Sequence, residues 1–148
     1  MSIVPIEIRR AQLADAAEMT RLAGELGYPI STVEMTRRLA LLLSDERHCL
    51  AVAAHGDHLL GWMHVERRLS LEGGDRAELM GLVVDSTARR RGVGPELVNA
   101  AESWTVTQGL SSLTVRSNVA RDVAHPFYES LGFLRGKTQH VYSKVVAA

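Results

Sequence analysis

The sequence predicts a mixed α/β fold, because strand-like and helix-like patterns alternate along the chain with no internal repeat. The 148 residues, 46% hydrophobic and 23% charged, suit one globular domain spanning residues 1–148. Basic and acidic residues each total 17, so the formal net charge is zero. This balance argues against a dedicated binder of nucleic acids or anionic membranes, which usually carries a basic excess.

The first half of the chain predicts one strand, two helices and a hairpin. The alternating run Ile6–Ile8 is the first strand. The first helix begins near Asp15 and stops at Gly27. Ser31 and Glu34 have capping-box spacing at the start of the second helix. The hairpin is expected to join strands Cys49–Ala54 and Leu59–Val65 through a turn at Gly56 and Asp57.

The second half predicts a buried strand followed by further helices and strands. The apolar run Leu79–Val84 is typical of a central strand covered on both faces, and Gly81 within it predicts a bulge. Pro95 suits the first turn of a third helix, which ends at Gly109. The remaining expected elements are a loop at Glu72–Asp75, a strand at Leu113–Val115, a fourth helix from Ala124 to Gly132, a last strand at Gln139–Val146 and one more strand near Phe133 and Leu134.

Several other classes of protein are disfavoured by the pattern of residues. Cys49 is the single cysteine, which excludes an intramolecular disulfide and a multi-cysteine zinc site. No apolar run approaches the roughly 18 residues of a membrane span, and the N-terminus lacks the pattern of a signal peptide. We therefore expect a cytoplasmic protein that binds neither membrane nor nucleic acid. No histidines and carboxylates show metal-ligand spacing along the sequence, so no metal is expected.

The clearest chemical signal lies between Val83 and Pro95, where an apolar strand leads through a glycine-containing turn into a helix. The first N–H groups of a helix lack intrahelical partners and, with the helix dipole, favour an anion such as a pyrophosphate. Gly92 and Gly94 let the backbone approach such a ligand, and the three arginines at 89–91 add forked donors. The alternative is a tight strand–helix turn beside a solvated arginine cluster.

Two motifs resemble those of the GNAT superfamily of N-acetyltransferases. The run from Arg89 to Gly94 is similar to its acetyl-CoA pyrophosphate motif. Downstream, Asn118, Ala124, Phe127-Tyr128 and Leu131-Gly132-Phe133 resemble its second motif. The resemblance implies a central, mostly antiparallel sheet flanked by about four helices. It also implies direct transfer of an acetyl group from acetyl-CoA to an amine, without a covalent enzyme intermediate.

The resemblance assigns cofactor-binding residues to both motifs and to the strand before the turn. Backbone groups of Leu82 and Val84 would bond the amides of the pantetheine arm, and the turn at 89–94 would hold the pyrophosphate. Asn118 would bond the cofactor, unless it only caps a helix or turns a loop. The complete implied set is Leu82, Val83, Val84, Arg89, Arg90, Arg91, Gly92, Val93, Gly94, Asn118, Ala124 and Tyr128.

Two residues are candidates for the base that deprotonates the amine. Glu78 leads, because the family often keeps a carboxylate near this position that acts through water; the alternative is a solvated glutamate at a strand end. His64 is the second candidate, because an unperturbed histidine titrates near neutral pH. It lies on the same strand face as Trp62 and Glu66, and the alternative is a histidine that is only hydrogen-bonded within the sheet. His125 on the fourth helix is more simply a surface residue.

Tyr128 stands where the second motif keeps its general acid. A phenol has a pKa of about 10 and is therefore a protonated donor at neutral pH. The alternative is an aromatic residue packed in the core with its hydroxyl at the rim.

The implied partners are acetyl-CoA and a small primary amine, and the resemblance allows a homodimer. Two other functions stay open, namely acetylation of a protein N-terminus or lysine, and non-catalytic acyl-CoA binding on the same fold.

Overall fold

A computed structural model of the chain describes residues 5–88, 91–116 and 124–147. The chain divides into two compact units, Met1–Arg116 and Ser117–Ala148. Arg89, Arg90 and Asn118, which are predicted to bind the cofactor, lie outside the described residues. One domain over residues 1–148 stays a prediction. Within the described ranges, no helix has both the length and the apolar character needed to cross a membrane.

The first unit is built on a five-stranded mixed sheet whose strand order follows the chain. The first four strands pair antiparallel in succession, and the fifth joins the fourth in parallel. The predicted fold class, mixed α/β with a mostly antiparallel sheet, is therefore confirmed. The strands are β1 at Glu7–Arg10, β2 at His48–His55, β3 at His58–Ser70, β4 at Gly74–Val84 and β5 at Leu113–Val115.

The α-helices of the described residues begin and end at the signals that the sequence contains. The Ser31 hydroxyl accepts a hydrogen bond from the Glu34 N–H at 3.1 Å, which caps the second helix as predicted. Gly27 follows the first helix with φ +84° and terminates it. The helices are α1 at Ala16–Glu25, α2 at Thr32–Leu43, α3 at Val93–Thr107 and, in the second unit, α4 at Ala124–Ser130.

Strands β3 and β4 extend further than predicted, to a turn at 71–73. Gly74 and Asp75, which were expected in a loop, are the first residues of β4. An ion pair across the two strands holds the extension together, because Arg67 Nε donates to Asp75 Oδ1 at 3.0 Å. Cross-strand ion pairs of this kind support a strand that lacks alternating apolar residues. Glu78 consequently lies within β4 and not at its start.

A bulge interrupts β4 next to Gly81, as predicted. His64 of β3 faces Gly81 and the following Val65 faces Leu79, so Met80 is the extra residue. A Cβ atom on Gly81 would lie 3.0 Å from the Trp62 ring. Glycine at this position therefore leaves space for the indole beside the bulge.

The helices of the first unit pack on both faces of the sheet. On one face, Trp62 Nε1 donates to the Met19 carbonyl of α1 at 3.3 Å. Successive residues of a strand point to opposite faces, and a Cβ on the neighbouring Gly61 would lie 3.0 Å from Leu97 of α3. The core under α1 and α2 includes Met19, Leu22, Leu39, Leu50, Val52, Leu59 and Val83.

The last predicted strand, at Gln139–Val146, is wrong, and so is the additional strand near Phe133 and Leu134. Residues 133–147 contain neither helix nor strand. Val141 and Tyr142 are 88% and 91% exposed. An alternating pattern forms a strand only where a neighbouring strand satisfies its backbone groups, and this segment pairs with no strand of the described residues.

Candidate functional site

The predicted phosphate-binding turn forms the N-terminus of α3. Gly92 is the N-cap residue, with φ +78° in the left-handed region that favours glycine. Gly92 has no side chain to cap the helix, so within the described residues the N–H groups of Val93 and Gly94 at its first two positions have neither a capping side chain nor an intrahelical partner. Both groups can therefore bind an anion. The turn borders a pocket of about 330 Å³ lined by Ile6, Ile8, Arg91, Gly92, Val93 and Glu96.

The end of β4 that leads into this turn has an open edge. Strand β5 pairs with β4 only at Ala77–Leu79, so within the described residues no strand pairs with that edge beyond Leu79. The Asp85 N–H donates to the Leu60 carbonyl at 2.8 Å, toward β3. Because backbone groups alternate in direction along an antiparallel strand, those of Val84 and Leu82 point toward the open edge. The same alternation directs the backbone of Val83 toward β3, and its side chain is buried in the core.

Asp85 fixes the start of the turn, a role that the sequence analysis missed. Its carboxylate is buried and accepts hydrogen bonds from the Thr87 N–H at 2.9 Å and the Thr87 hydroxyl at 2.8 Å. Arg21 of α1 donates to it at 3.3 Å. The Thr87 backbone N–H is the largest cause of the lowered pKa of Asp85. An aspartate after a strand and two residues before a threonine is the signal that predicts such a turn.

Glu78 lies on the sheet with its carboxylate bound by two arginines. Arg68 Nη1 donates to Oε2 at 3.0 Å, and Arg116 Nε donates to Oε1 at 3.1 Å. Glu78 is only 2% exposed, so the alternative of a solvated glutamate is wrong. A buried carboxylate requires such partners because an unpaired charge inside a protein is very unfavourable. The sequence contains no local signal for either arginine, since Arg68 lies on β3 and Arg116 follows β5.

His64 lies beside His48 and Glu66, in a group that the sequence analysis did not predict. His48 Nδ1 is 2.9 Å from His64 Nε2 and 3.5 Å from Glu66 Oε2. His64 and Glu66 therefore share one face of β3, as expected. Burial and the neighbouring His48 lower the pKa of His64 to about 4. The three side chains are spaced to hold a metal ion, with all ligand atoms within 4.8 Å of one another.

In the second unit, Tyr128 lies on α4 among aromatic side chains. Its ring meets Phe127 edge-on at 5.2 Å and Phe133 at 5.7 Å between centroids. The Phe133 N–H also donates to the Tyr128 carbonyl at 3.1 Å. These contacts restrict the orientation of the phenol ring. Ala124 is the first residue of α4, and His125 is half-buried there and not fully exposed.

Cys49 is half-buried in β2, and burial raises the pKa of its thiol. A nucleophilic cysteine needs a lowered pKa because the thiolate is the reactive form. The raised pKa therefore favours a packing role for Cys49 over a nucleophilic one.

Comparisons with known proteins find relatives of this chain in sequence and in fold. Among curated proteins, the chain is 25% identical over 118 residues to the uncharacterized N-acetyltransferase YhdJ of Bacillus subtilis, covering 79% of this chain and 83% of that protein. Among solved structures, it resembles the aminoglycoside 6'-N-acetyltransferase AAC(6')-Ig of Acinetobacter haemolyticus, with a TM-score of 0.83, 19% identity and coverage of 95% and 99% of the two chains.

A second solved structure shares the fold in a ligand-bound form. It is AAC(6')-Iy in complex with the bisubstrate analogue CoA-S-monomethyl-acetylneamine, with a TM-score of 0.85, 17% identity and coverage of 96% and 99% of the two chains. A comparison with protein families matches residues 14–133 to the acetyltransferase (GNAT) family. This match covers most of the chain, and the protein is therefore an N-acetyltransferase of the GNAT family.

Proposed function

We propose that the protein transfers the acetyl group of acetyl-CoA directly to a primary amine of a small molecule. The observation that carries this proposal is made within the described residues: the edge of β4 beyond Leu79 pairs with no strand, and β4 leads to the N-terminus of α3, where no side chain caps the helix. An extended arm that contains amides can pair with such an edge, and a pyrophosphate suits the helix start. Acetyl-CoA combines both groups in one molecule and supplies the acetyl group as a thioester.

Of the three arginines of the turn, Arg91 lies within the described residues, and it is exposed. We expect Arg91→Glu to weaken CoA binding several-fold at low salt, and the difference from wild type to shrink at high salt because ions screen phosphate contacts. Lys137→Glu makes the same charge change on an exposed residue of the second unit and is the matched control. Calorimetric titration with CoA measures both, and equal affinities for the two variants would exclude Arg91 from the phosphate site.

Glu78 and Tyr128 are the proposed proton-transfer residues. In the reaction, a bond forms between the amine nitrogen and the acetyl carbon, and the bond from that carbon to sulfur breaks. Glu78 takes the amine proton through a water molecule, onto a lone pair that the hydrogen bonds from Arg68 and Arg116 leave free on its oxygens. Tyr128 gives a proton to the departing sulfur, where a neutral phenol is a suitable donor. His64 is the alternative base.

A small molecule is the proposed acceptor. The support comes from solved proteins of the same fold, whose names describe aminoglycoside acetyltransferases. We would test this by supplying acetyl-CoA with a panel of amino sugars, polyamines and amino acids, and following the release of free thiol. A parallel panel of peptides with free N-termini or lysines separates the runner-up function. Transfer to peptides alone would overturn the small-molecule proposal.

Non-catalytic binding of acyl-CoA is the other candidate function. It predicts tight CoA binding with no release of thiol from acetyl-CoA in the presence of any amine or peptide.

We also propose a cytoplasmic location and a homodimer. Light scattering of the purified protein tests the assembly, and cell fractionation tests the location.

A further inference from the structure

The group formed by His48, His64 and Glu66 has no role in the proposed acetyl transfer when Glu78 acts as the base. All three side chains lie on one face of the β2–β3 hairpin. His48 is the direct cross-strand partner of Glu66, and His64 precedes Glu66 by two residues on the same strand. Backbone pairing therefore holds the three side chains together without any loop. The His48 and Glu66 side chains are 14% and 20% exposed, so the group is partly buried but open to solvent.

We propose that His48, His64 and Glu66 form a binding site for a divalent transition cation of the zinc type. Two imidazole nitrogens and one carboxylate oxygen are ligands that suit Zn²⁺, whereas Ca²⁺ and Mg²⁺ prefer oxygen ligands alone. Three protein ligands leave the fourth position of a tetrahedral ion for water.

The distances between the ligand atoms fit such an ion. Ligand atoms at about 2.0–2.2 Å from a tetrahedral metal are separated by about 3.3 Å. His48 Nδ1 lies 2.9 Å from His64 Nε2 and 3.5 Å from Glu66 Oε2, on either side of that value. The third pair, His64 with Glu66, lies within 4.8 Å, so a metal ion requires movements of the side chains and not of the strands.

Neighbouring charged groups orient two of the ligands. Asp45 Oδ2 lies 3.8 Å from His48 Nε2, the ring nitrogen that does not face the site. Arg68 Nε lies 3.4 Å from Glu66 Oε1, while Glu66 Oε2 is the oxygen nearer His48. Metal-binding histidines commonly have a carboxylate at the other nitrogen, and ligating carboxylates are themselves held by donors.

The test uses the full chain without a histidine tag, titrated with Co²⁺ as the probe. We expect the visible absorption of tetrahedral Co²⁺ to appear at one equivalent and to disappear when Zn²⁺ is added. Zn²⁺ should also raise the melting temperature, because it binds the folded state. These readouts are independent of acetyl transfer, so they test the site even if the proposed function is wrong.

His48→Gln and Glu66→Gln should each weaken Co²⁺ binding by at least about ten-fold, because each removes one ligand. His55→Gln, at the other end of β2, is the matched control and should bind like wild type. Circular dichroism verifies that each variant is folded. Absence of the Co²⁺ spectrum in wild type would show that the histidines form only a hydrogen-bonded pair. A spectrum that is unchanged in both ligand variants would place the metal elsewhere, and either result overturns the proposal.

Discussion

Glu78 keeps a carboxylate inside the sheet between an arginine of β3 and the arginine that follows β5. Burial of a charged group with its partners adds little to stability, because loss of hydration offsets the attraction between the charges. A hydrophobic residue of similar size would serve the core as well. This favours a chemical reason for the carboxylate, which is the proposed role as base.

We expect Glu78→Gln to lower the turnover number by about 100-fold, because the amide does not accept the amine proton. Arg68→Gln is the matched control, since it removes one ion pair and leaves the carboxylate and Arg116 in place. Steady-state kinetics of thiol release measure both variants. If Glu78→Gln turns over like wild type, while His64→Gln is slow, the base is His64 and the assignment of Glu78 is wrong.

Tyr128 makes its aromatic contacts through the ring, so the removal of its hydroxyl leaves the packing with Phe127 and Phe133 intact. We expect Tyr128→Phe to lower the rate of transfer by about 100-fold while the affinity for CoA is nearly unchanged. Tyr28→Phe, a tyrosine that is 55% exposed after α1, is the control. Stopped-flow transfer and calorimetry separate the two quantities, and unchanged rates would exclude Tyr128 as the acid.

At the scale of elements, Gly92 and Gly24 differ only in backbone conformation. Both are exposed and have open space around a Cβ atom, but Gly92 has φ +78° at the start of α3 and Gly24 lies within α1. Gly92→Ala should therefore cost about 1–2 kcal/mol in the free energy of unfolding and weaken CoA binding. Gly24→Ala should stabilise by about 0.5–1 kcal/mol. Urea unfolding measures both, and a stabilising Gly92→Ala would contradict the left-handed turn.

Elements with local signals were predictable from the sequence. Each of these signals depends on a few adjacent residues. They are the capping pair Ser31 and Glu34, the stop at Gly27 and the start of α3 near Pro95. The last strand was mispredicted because its alternating pattern has no partner strand in the part of the chain that the structure describes. The extension of β3 and β4 was missed because its stability comes from pairs across strands, such as Arg67 with Asp75.

The candidate site divides in the same way. The turn at Gly92 was predictable from a sequence motif, and the β4 strand before it was predictable from its apolar run. Other contacts of the site join segments that are far apart in the sequence. They are the arginines on Glu78, the support of the turn by Arg21 and the approach of His48 to His64. The contacts within the sheet require its register, and the contact of Arg21 requires the packing of α1 on the sheet; no short pattern encodes either.

At the scale of the whole molecule, the zero net charge conceals ion pairs that connect separate elements of the fold. Arg9 of β1 donates to both oxygens of Asp15, at 2.9 and 2.8 Å, and Arg21 of α1 reaches Asp85 after β4. The hydrogen bonds from Arg9 lower the pKa of Asp15 in the folded protein. The stability from this pair is therefore present above the unfolded pKa of about 3.9 and is lost as the pH falls through the folded value.

We expect the free energy of unfolding to decrease as the pH is lowered below about 4, and Asp15→Asn to make this decrease shallower. At neutral pH the variant should lose about 2 kcal/mol, because the bidentate pair with Arg9 is absent. Asp57→Asn, at the exposed turn of the hairpin, is the control for the loss of one charge. Denaturant titrations at several pH values measure these effects, and parallel curves for Asp15→Asn and wild type would contradict the assignment.

The most direct test of the central claim is mass spectrometry of the acceptor after incubation with isotopically labelled acetyl-CoA and the purified protein. Direct transfer to a small amine predicts a labelled acetyl group on the acceptor nitrogen, one free thiol for each product, and no label on the protein. A protein that binds acetyl-CoA and labels no acceptor, or that carries the acetyl group covalently during turnover, would contradict it.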